Sequence, residues 1–270
     1  MRITFIGGGN MAKALIGGLL AQGYSAADMQ VVEPYAESRE GLSAAFAVRC
    51  VGAADAATLD CDTLVLAVKP QQMREALAPL SGQLKHQLVV SIAAGLRLDD
   101  ISRWLGGHRL LVRTMPNMAA LIGKSITGLY ADPSVAPSAR NDAERILGAV
   151  GATLWLESEA QMDAVTAISG SGPAYVFYFI EAMEAAATQL GFDAAAARKL
   201  TIETFLGAAQ LADQSTETIS TLRQQVTSKG GTTEAALQSF AASELVHHIG
   251  LGITAAASRG RELGDLLGRD

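Results

Sequence analysis

Two short stretches of this 270-residue chain gather residue types that bind through backbone rather than through long side chains. The first is Gly7-Gly8-Gly9-Asn10-Met11-Ala12, with Gly7, Gly9 and Ala12 at the spacing G-x-G-x-x-A. It lies between the apolar run "RITFIG" and the helical run "NMAKALIGGLLAQG". A strand that turns there into a helix leaves N–H groups and a positive helix end aimed at open space, a setting for phosphate. The first glycine makes the turn, the second admits a pyrophosphate, and a small third residue lets the helix pack on the strand. The second stretch is "VTSKGGTTEAAL", residues 226–237, where Ser228, Gly230, Gly231, Thr232 and Thr233 precede a helix. N–H groups and hydroxyls so collected suit a carboxylate; capping residues of an ordinary interhelical turn would read the same way. A further polar, glycine-rich island, "ISGSGPAY" (168–175), reads either as a second binding element or as another turn between helices.

Around the glycine turn the sequence outlines a dinucleotide groove. Glu33 ends the segment "MQVVEP" and follows Gly9 at close to the usual ~20-residue interval. A carboxylate there accepts the ribose hydroxyls and repels a 2′-phosphate, which favours NADH; nearby Arg39 would instead reach a 2′-phosphate. "AVKP" (Ala67, Val68, Lys69, Pro70), "SIAAG" (with Ile92, Ala93 and Ala94) and "MPN" (ending at Asn117) all fall at carboxyl ends of expected strands. That edge is where open α/β sheets bind ligands. Ala93 and Ala94 leave room for a nicotinamide against backbone, while Lys69 either reaches cofactor phosphate or ribose or is a solvated strand end.

Groups for the commonest dehydrogenase chemistries are missing from these places. His86, His108, His247 and His248 lie in loops or on helical surface, no Tyr-x-x-x-Lys pair follows, and no His/Cys/carboxylate spacing suggests zinc or another metal. An imine substrate fits, because once protonated it accepts hydride with no alkoxide to stabilise.

The elements that must hold these stretches divide near residue 160. Strands are expected over 2–7, 29–34, 47–51, 62–70, 87–95, 109–117, 126–131 and 151–157, with helices over 10–23, 36–46, 71–80, 98–106 and 137–148. Strands apolar on both faces and alternating with helices imply a mostly parallel, Rossmann-like sheet in an α/β domain, residues 1–159. Residues 160–270 carry alanine-rich helices over 174–190, 194–212, 218–227, 233–242 and 244–266, an all-α domain. A formal charge of −6 and no basic cluster argue against nucleic acid. The longest uncharged apolar segment, from Asp163 to Glu181, is broken by "SGSGP" and short for a membrane span. Cys50 and Cys61 give no disulfide framework and fit a cytoplasmic protein.

These motifs, "FIGGGNMA", "LAVKPQ", "VVSIAAG", "VRTMPN", "DAVTAISGSGPAYVF" and "VTSKGGTTEAAL", run in order along nearly the whole chain and resemble the pyrroline-5-carboxylate reductase family. The resemblance implies a helical dimerisation domain and NADP- or NAD-dependent reduction of a cyclic imine carboxylate to L-proline. It implies that Ser228, Gly230, Gly231, Thr232 and Thr233 hold the substrate carboxylate, with Thr233 at the ring nitrogen and Glu159 at a substrate-associated position. It places "SGSGP" near the nicotinamide and implies a homodimer that can assemble further, as into a decamer. Two departures stand out: Met118-Ala119 replaces the family's Thr-Pro after "MPN", and Lys229 replaces a proline. A β-hydroxyacid or imine reductase is the rival enzyme, but it would use a lysine on the interdomain helix, and none lies between Lys124 and Lys199. A non-enzymatic dinucleotide-binding scaffold leaves the 226–237 turn without a purpose.

Overall fold

The computed structural model describes residues 1–55 and 57–269 and forms two compact units, Met1–Ser171 with Ala256–Asp270, and Gly172–Ala255. The units part later than the 159/160 boundary read from sequence, and the last residues return to the first unit.

The first unit is built on eight strands: β1 Ile3–Ile6, β2 Met29–Val32, β3 Arg49–Val51, β4 Thr63–Leu66, β5 Leu88–Ser91, β6 Leu111–Met115, β7 Ser125–Ala131 and β8 Gly151–Trp155. Their order is β3-β2-β1-β4-β5-β6-β7-β8. Every residue of β1, β4 and β5 is buried, as expected for strands covered on both faces. All pairs are parallel except β6 with β7, which run antiparallel from Val112 opposite Ala131 to Met115 opposite Gly128. The link 116–124 explains the reversal. It holds one short 3-10 helix, Met118–Ile122, and is shorter than the dozen or so residues a parallel crossover needs.

Two apolar layers cover the sheet. On one face Phe5, Val31 and Val65 pack with Leu15, Ile16 and Leu19 of α1 (Asn10–Ala21), Leu42 of α2 (Ala36–Phe46) and Ile146 and Leu147 of α5 (Pro137–Gly148). On the other, Ile6, Leu64 and Leu66 meet Met73 and Leu77 of α3 (Met73–Leu77) and Ile101 and Trp104 of α4 (Leu98–Trp104). The expected helix 71–80 is broken into α3 between two 3-10 turns, Pro70–Gln72 and Ala78–Leu80, because Pro70 and Pro79 cannot continue a ladder.

"ISGSGP" is not a turn. α6 (Gln161–Val165) continues through a π-helical turn, Thr166–Gly170, closed by the Ser171 N–H on the Thr166 carbonyl at 2.8 Å. The next helix, α7 (Gly172–Gln189), follows at once, with Pro173 in its first turn, where a missing N–H is tolerated.

The second unit holds α7, α8 (Ala194–Gln214), α9 (Ile219–Gln225), α10 (Thr232–Ala242) and the start of α11 (Leu245–Leu267). Asp193 caps α8 by accepting the Ala196 N–H at 2.8 Å, and Thr218 caps α9. Large apolar side chains stand in the open, among them Tyr178, Leu211 and Val246, and α7, α9 and α10 bury none of their residues. Val176, Phe177, Ile180, Ile202, Phe205 and Leu206 line an open groove of about 660 Å³ along α7 and α8. Among the described residues no helix is long and apolar enough to cross a membrane.

Candidate active site

Strand order reverses between β1 and β4, and a crevice at that switch point is where open α/β sheets take ligands. The glycine turn leaves β1 there. Gly7 has φ +99°, and its N–H donates to the Val32 carbonyl at 2.8 Å. A Cβ on Gly7 would lie 2.7 Å from the Ala67 carbonyl oxygen, so this position admits no side chain. The Ala67 N–H donates to the Ile6 carbonyl at 2.7 Å and the Ile92 N–H to the Leu66 carbonyl at 3.2 Å. The ends of β1, β4 and β5 therefore open side by side.

Ala12 is fully buried beneath the turn, Met11 is half-buried, and Gly9 and Asn10 are exposed. Gly9 caps α1 in extended conformation, φ −69° and ψ −176°, and α1 has no side-chain cap. A Cβ on Gly9 would meet nothing within 4 Å. A bare, uncapped helix start with open space before it fits a dinucleotide pyrophosphate. Along the same edge Ala67, Val68, Pro70 and Ile92 are half-buried, Lys69 and Ala94 exposed and Ala93 buried.

Three expected contact residues are engaged by the protein itself. Glu33 is 8% exposed; its Oε2 accepts the Gly8 N–H at 2.9 Å and its Oε1 the Tyr35 N–H at 3.1 Å. It braces the glycine turn, in addition to standing at the β2 end where the sequence placed a ribose-facing carboxylate. Arg39, half-buried beside it, donates to the carbonyls of Glu33 and Pro34 at 2.9 and 2.7 Å. Glu159, expected at the substrate, accepts at Oε1 from Arg113 at 3.0 Å and from the Leu98 N–H at 2.9 Å. Arg113 is buried on β6, with Asp163 also at 3.7 Å, so this cluster fixes α6 and the start of α4 to the sheet. Asn117 is buried; its Nδ2 donates to the Ser169 carbonyl at 3.1 Å and its Oδ1 accepts the Ala119 N–H at 3.1 Å. It ties the "MPN" loop to the π turn, where a Cβ on Gly170 would strike the Met115 side chain.

In the second unit, Gly230 (φ +71°) and Gly231 lead into α10 at Thr232, with Ser228, Gly230 and Thr232 exposed and Gly231 and Thr233 half-buried. The run of N–H groups is partly used. The Gly230 N–H donates to Glu234 Oε2 at 2.7 Å and the Gly231 N–H to the Ser228 carbonyl at 3.0 Å. Glu234 thus lays its own carboxylate on the turn, as the glutamate of a capping box does.

Arg113, the Ser169 carbonyl and Glu234 were missed from sequence. An arginine within the strand-like, mostly apolar run "LLVRTM" was the available signal for the first, and the "TTE" start of a helix for the last. Burial pushes the Cys50 and Cys61 thiols up, so both remain protonated, poor nucleophiles at neutral pH.

Comparison with known proteins gives these features a context. Residues 159–263 match the family model described as pyrroline-5-carboxylate reductase dimerisation, and residues 2–95 the model described as NADP oxidoreductase, coenzyme F420-dependent. The pyrroline-5-carboxylate reductase of Pseudomonas aeruginosa is 46% identical over 269 residues, spanning 99% of this chain and 98% of that one. The Haemophilus influenzae enzyme is 42% identical, with 97% of each covered. Among solved structures, the pyrroline-5-carboxylate reductase of Coxiella burnetii matches with TM-score 0.92 and 39% identity over 97% of this chain and 98% of that one. The Plasmodium falciparum pyrroline carboxylate reductase, solved with NADP bound, shares the fold at TM-score 0.86 and 24% identity, over 98% of each chain. Identity at this level along nearly the entire length, on the same two-part architecture, shows that the chain belongs to the pyrroline-5-carboxylate reductase family.

Proposed function

We propose that this protein reduces 1-pyrroline-5-carboxylate to L-proline with NAD(P)H, the last step of proline biosynthesis. The observation that carries the reading is the bare, uncapped start of α1 at the switch point of the sheet, in a chain that also carries the Ser228–Thr233 turn. Bound NAD(P)H supplies the hydride that the imine carbon accepts.

The chain's own residues bind and orient. Gly7 to Ala12 would hold the pyrophosphate, while Ala67–Pro70 and Ile92–Ala94 flank the cofactor along the strand ends. The Thr232 and Thr233 N–H groups and the Ser228 hydroxyl would take the substrate carboxylate. The Thr233 hydroxyl sits at the ring nitrogen, which enters protonated and leaves as the amine. No side chain needs to change protonation state, so the acceleration comes from positioning and exclusion of water.

The protein works as a homo-oligomer. Val176, Phe177, Tyr178 and Met183 of α7 and Phe240 of α10 stand exposed, and an apolar groove runs along α7 and α8, as expected of a surface that another copy covers. A homodimer covers them, and assembly to a decamer is a further step that sedimentation of the purified protein would reveal.

The test is an absorbance assay of NADPH and NADH oxidation with 1-pyrroline-5-carboxylate, with proline identified as product. Oxidation with this imine and none with β-hydroxyacid-type substrates is the expected result. Binding of both cofactors with no turnover would support a scaffold instead.

A further inference from the structure

The end of α11 returns to the first unit and closes on the turn that follows β5. Among the described residues of α11, Gly264 is the buried one. A Cβ on Gly264 would lie 2.7 Å from the Gly95 carbonyl oxygen, a backbone atom that cannot swing aside. The fit is reciprocal. Gly95 has φ +82°, and a Cβ there would lie 3.5 Å from the Gly264 nitrogen. Two backbones thus touch with no side chain between them. The contact is flanked on both sides: Arg97 Nη2 donates to Asp265 Oδ1 at 2.6 Å, and Arg103 Nη2 to the Gly268 carbonyl at 2.5 Å. Leu267 packs against the apolar cluster that contains Leu96, Leu98 and Ile101.

Gly95 closes the "SIAAG" segment, whose Ile92, Ala93 and Ala94 form part of the cofactor edge. We propose that the C-terminal turns of α11 act as a clasp that sets this segment for NAD(P)H, with Gly264 as the positioning residue and the Arg97–Asp265 pair as its fastening. The inference rests on the reductase reading. It goes beyond that reading by assigning a task to residues far along the chain from every motif of the site. A methyl at Gly264 displaces the Gly95 carbonyl, and with it the backbone on which the nicotinamide half of the cofactor rests.

The experiment compares Gly264→Ala with Gly260→Ala, one turn earlier on the same helix. A Cβ at Gly260 comes no nearer than 3.9 Å to Asp163 Oδ1, an ordinary contact. Both variants gain the same helix propensity, so any difference reports on the Gly95 contact. Dissociation constants for NADPH and NADH are measured by fluorescence titration, alongside KM for each substrate, kcat and oligomeric state. Gly264→Ala is expected to weaken cofactor binding about 10-fold or more and to raise KM for the cofactor in step. KM for the imine, kcat at saturating cofactor and the oligomeric state stay put, and Gly260→Ala binds as the parent does. A merely structural role would lower the active fraction, and so kcat, with KM unchanged. A folded Gly264→Ala protein with parental cofactor affinity overturns the proposal. If that variant does not fold, Arg97→Gln decides: weaker cofactor binding supports the clasp, and unchanged binding overturns it. The unaltered protein's own titration tests the reductase reading separately, because the clasp is judged on ratios between variants.

Discussion

Gly9→Ala separates a glycine needed by the fold from one needed by the ligand. Gly9 sits at φ −69° and ψ −176°, which alanine adopts without strain, and a Cβ there meets no protein atom within 4 Å. Alanine is a poorer helix cap than glycine by less than ~1 kcal/mol, while the lost unfolded-state freedom returns ~0.4–1 kcal/mol. The two nearly cancel, so the thermal midpoint should move by less than roughly 2 °C for a chain of this size. The methyl enters the space before the uncapped start of α1, where a phosphate would lie. Losing one charge-assisted N–H contact amounts to ~1.5–3 kcal/mol, or roughly 10- to 150-fold in dissociation constant. Calorimetric or fluorescence titration with NADPH and NADH, paired with a melting curve, reads both quantities on one sample. Cofactor affinity within twofold of the parent would refute the placement of the pyrophosphate. A large drop in melting temperature would refute the claim that the space is empty of protein.

Thr233→Ala is expected to slow turnover ~10- to 100-fold with cofactor affinity unchanged, the loss of one polar contact at the reacting nitrogen; parental turnover would remove the hydroxyl from the chemistry. Glu33→Ala leaves the buried Gly8 N–H without its acceptor, a loss of ~1–3 kcal/mol and roughly 3–10 °C in melting temperature. It should weaken NADH and NADPH alike through the loosened glycine turn, and a selective gain for NADPH would place Glu33 at the ribose instead. Glu234→Gln keeps an acceptor for the Gly230 N–H but removes the negative charge from the turn, so KM for the imine carboxylate should fall; a rise in KM would show that the charge assists binding. Burial holds His108 below its ordinary range, beyond what its hydrogen bond to the Gln87 carbonyl recovers. The unfolded chain then binds the extra proton first, so stability should decline as pH falls from the ordinary value of ~6.5 toward the lower folded one. His108→Gln should flatten that part of a melting-temperature profile.

The sheet was legible because its strands are buried on both faces and read as unbroken apolar runs between glycine and proline punctuation. All eight expected strands are present, and the five helices between them lie where expected apart from the interruption by proline around α3. The reversal of β7 was not foreseen, since it depends on how few residues join Met115 to Ser125 rather than on either strand's composition. At "SGSGP" glycine and proline mark a turn locally, but a π turn followed by Pro173 at a helix start accommodates both. The glycine turn and the 228–233 turn stand out because their residues leave backbone bare ahead of helix starts that lack side-chain caps. Glu33, Glu159 and Asn117 were placed by position alone. What sequence could not show is that backbone N–H and carbonyl groups of Gly8, Leu98 and Ser169 pair with them.

The proposed reaction is one direct hydride transfer from the reduced cofactor to the imine carbon. Isotope transfer tests it most directly: the protein is supplied with 1-pyrroline-5-carboxylate and reduced cofactor fully deuterated at nicotinamide C4, and the proline formed is analysed by mass spectrometry. Direct transfer leaves one deuterium per proline, at the former imine carbon. Proline free of the label, or labelled cofactor left intact beside unreacted imine, would contradict it.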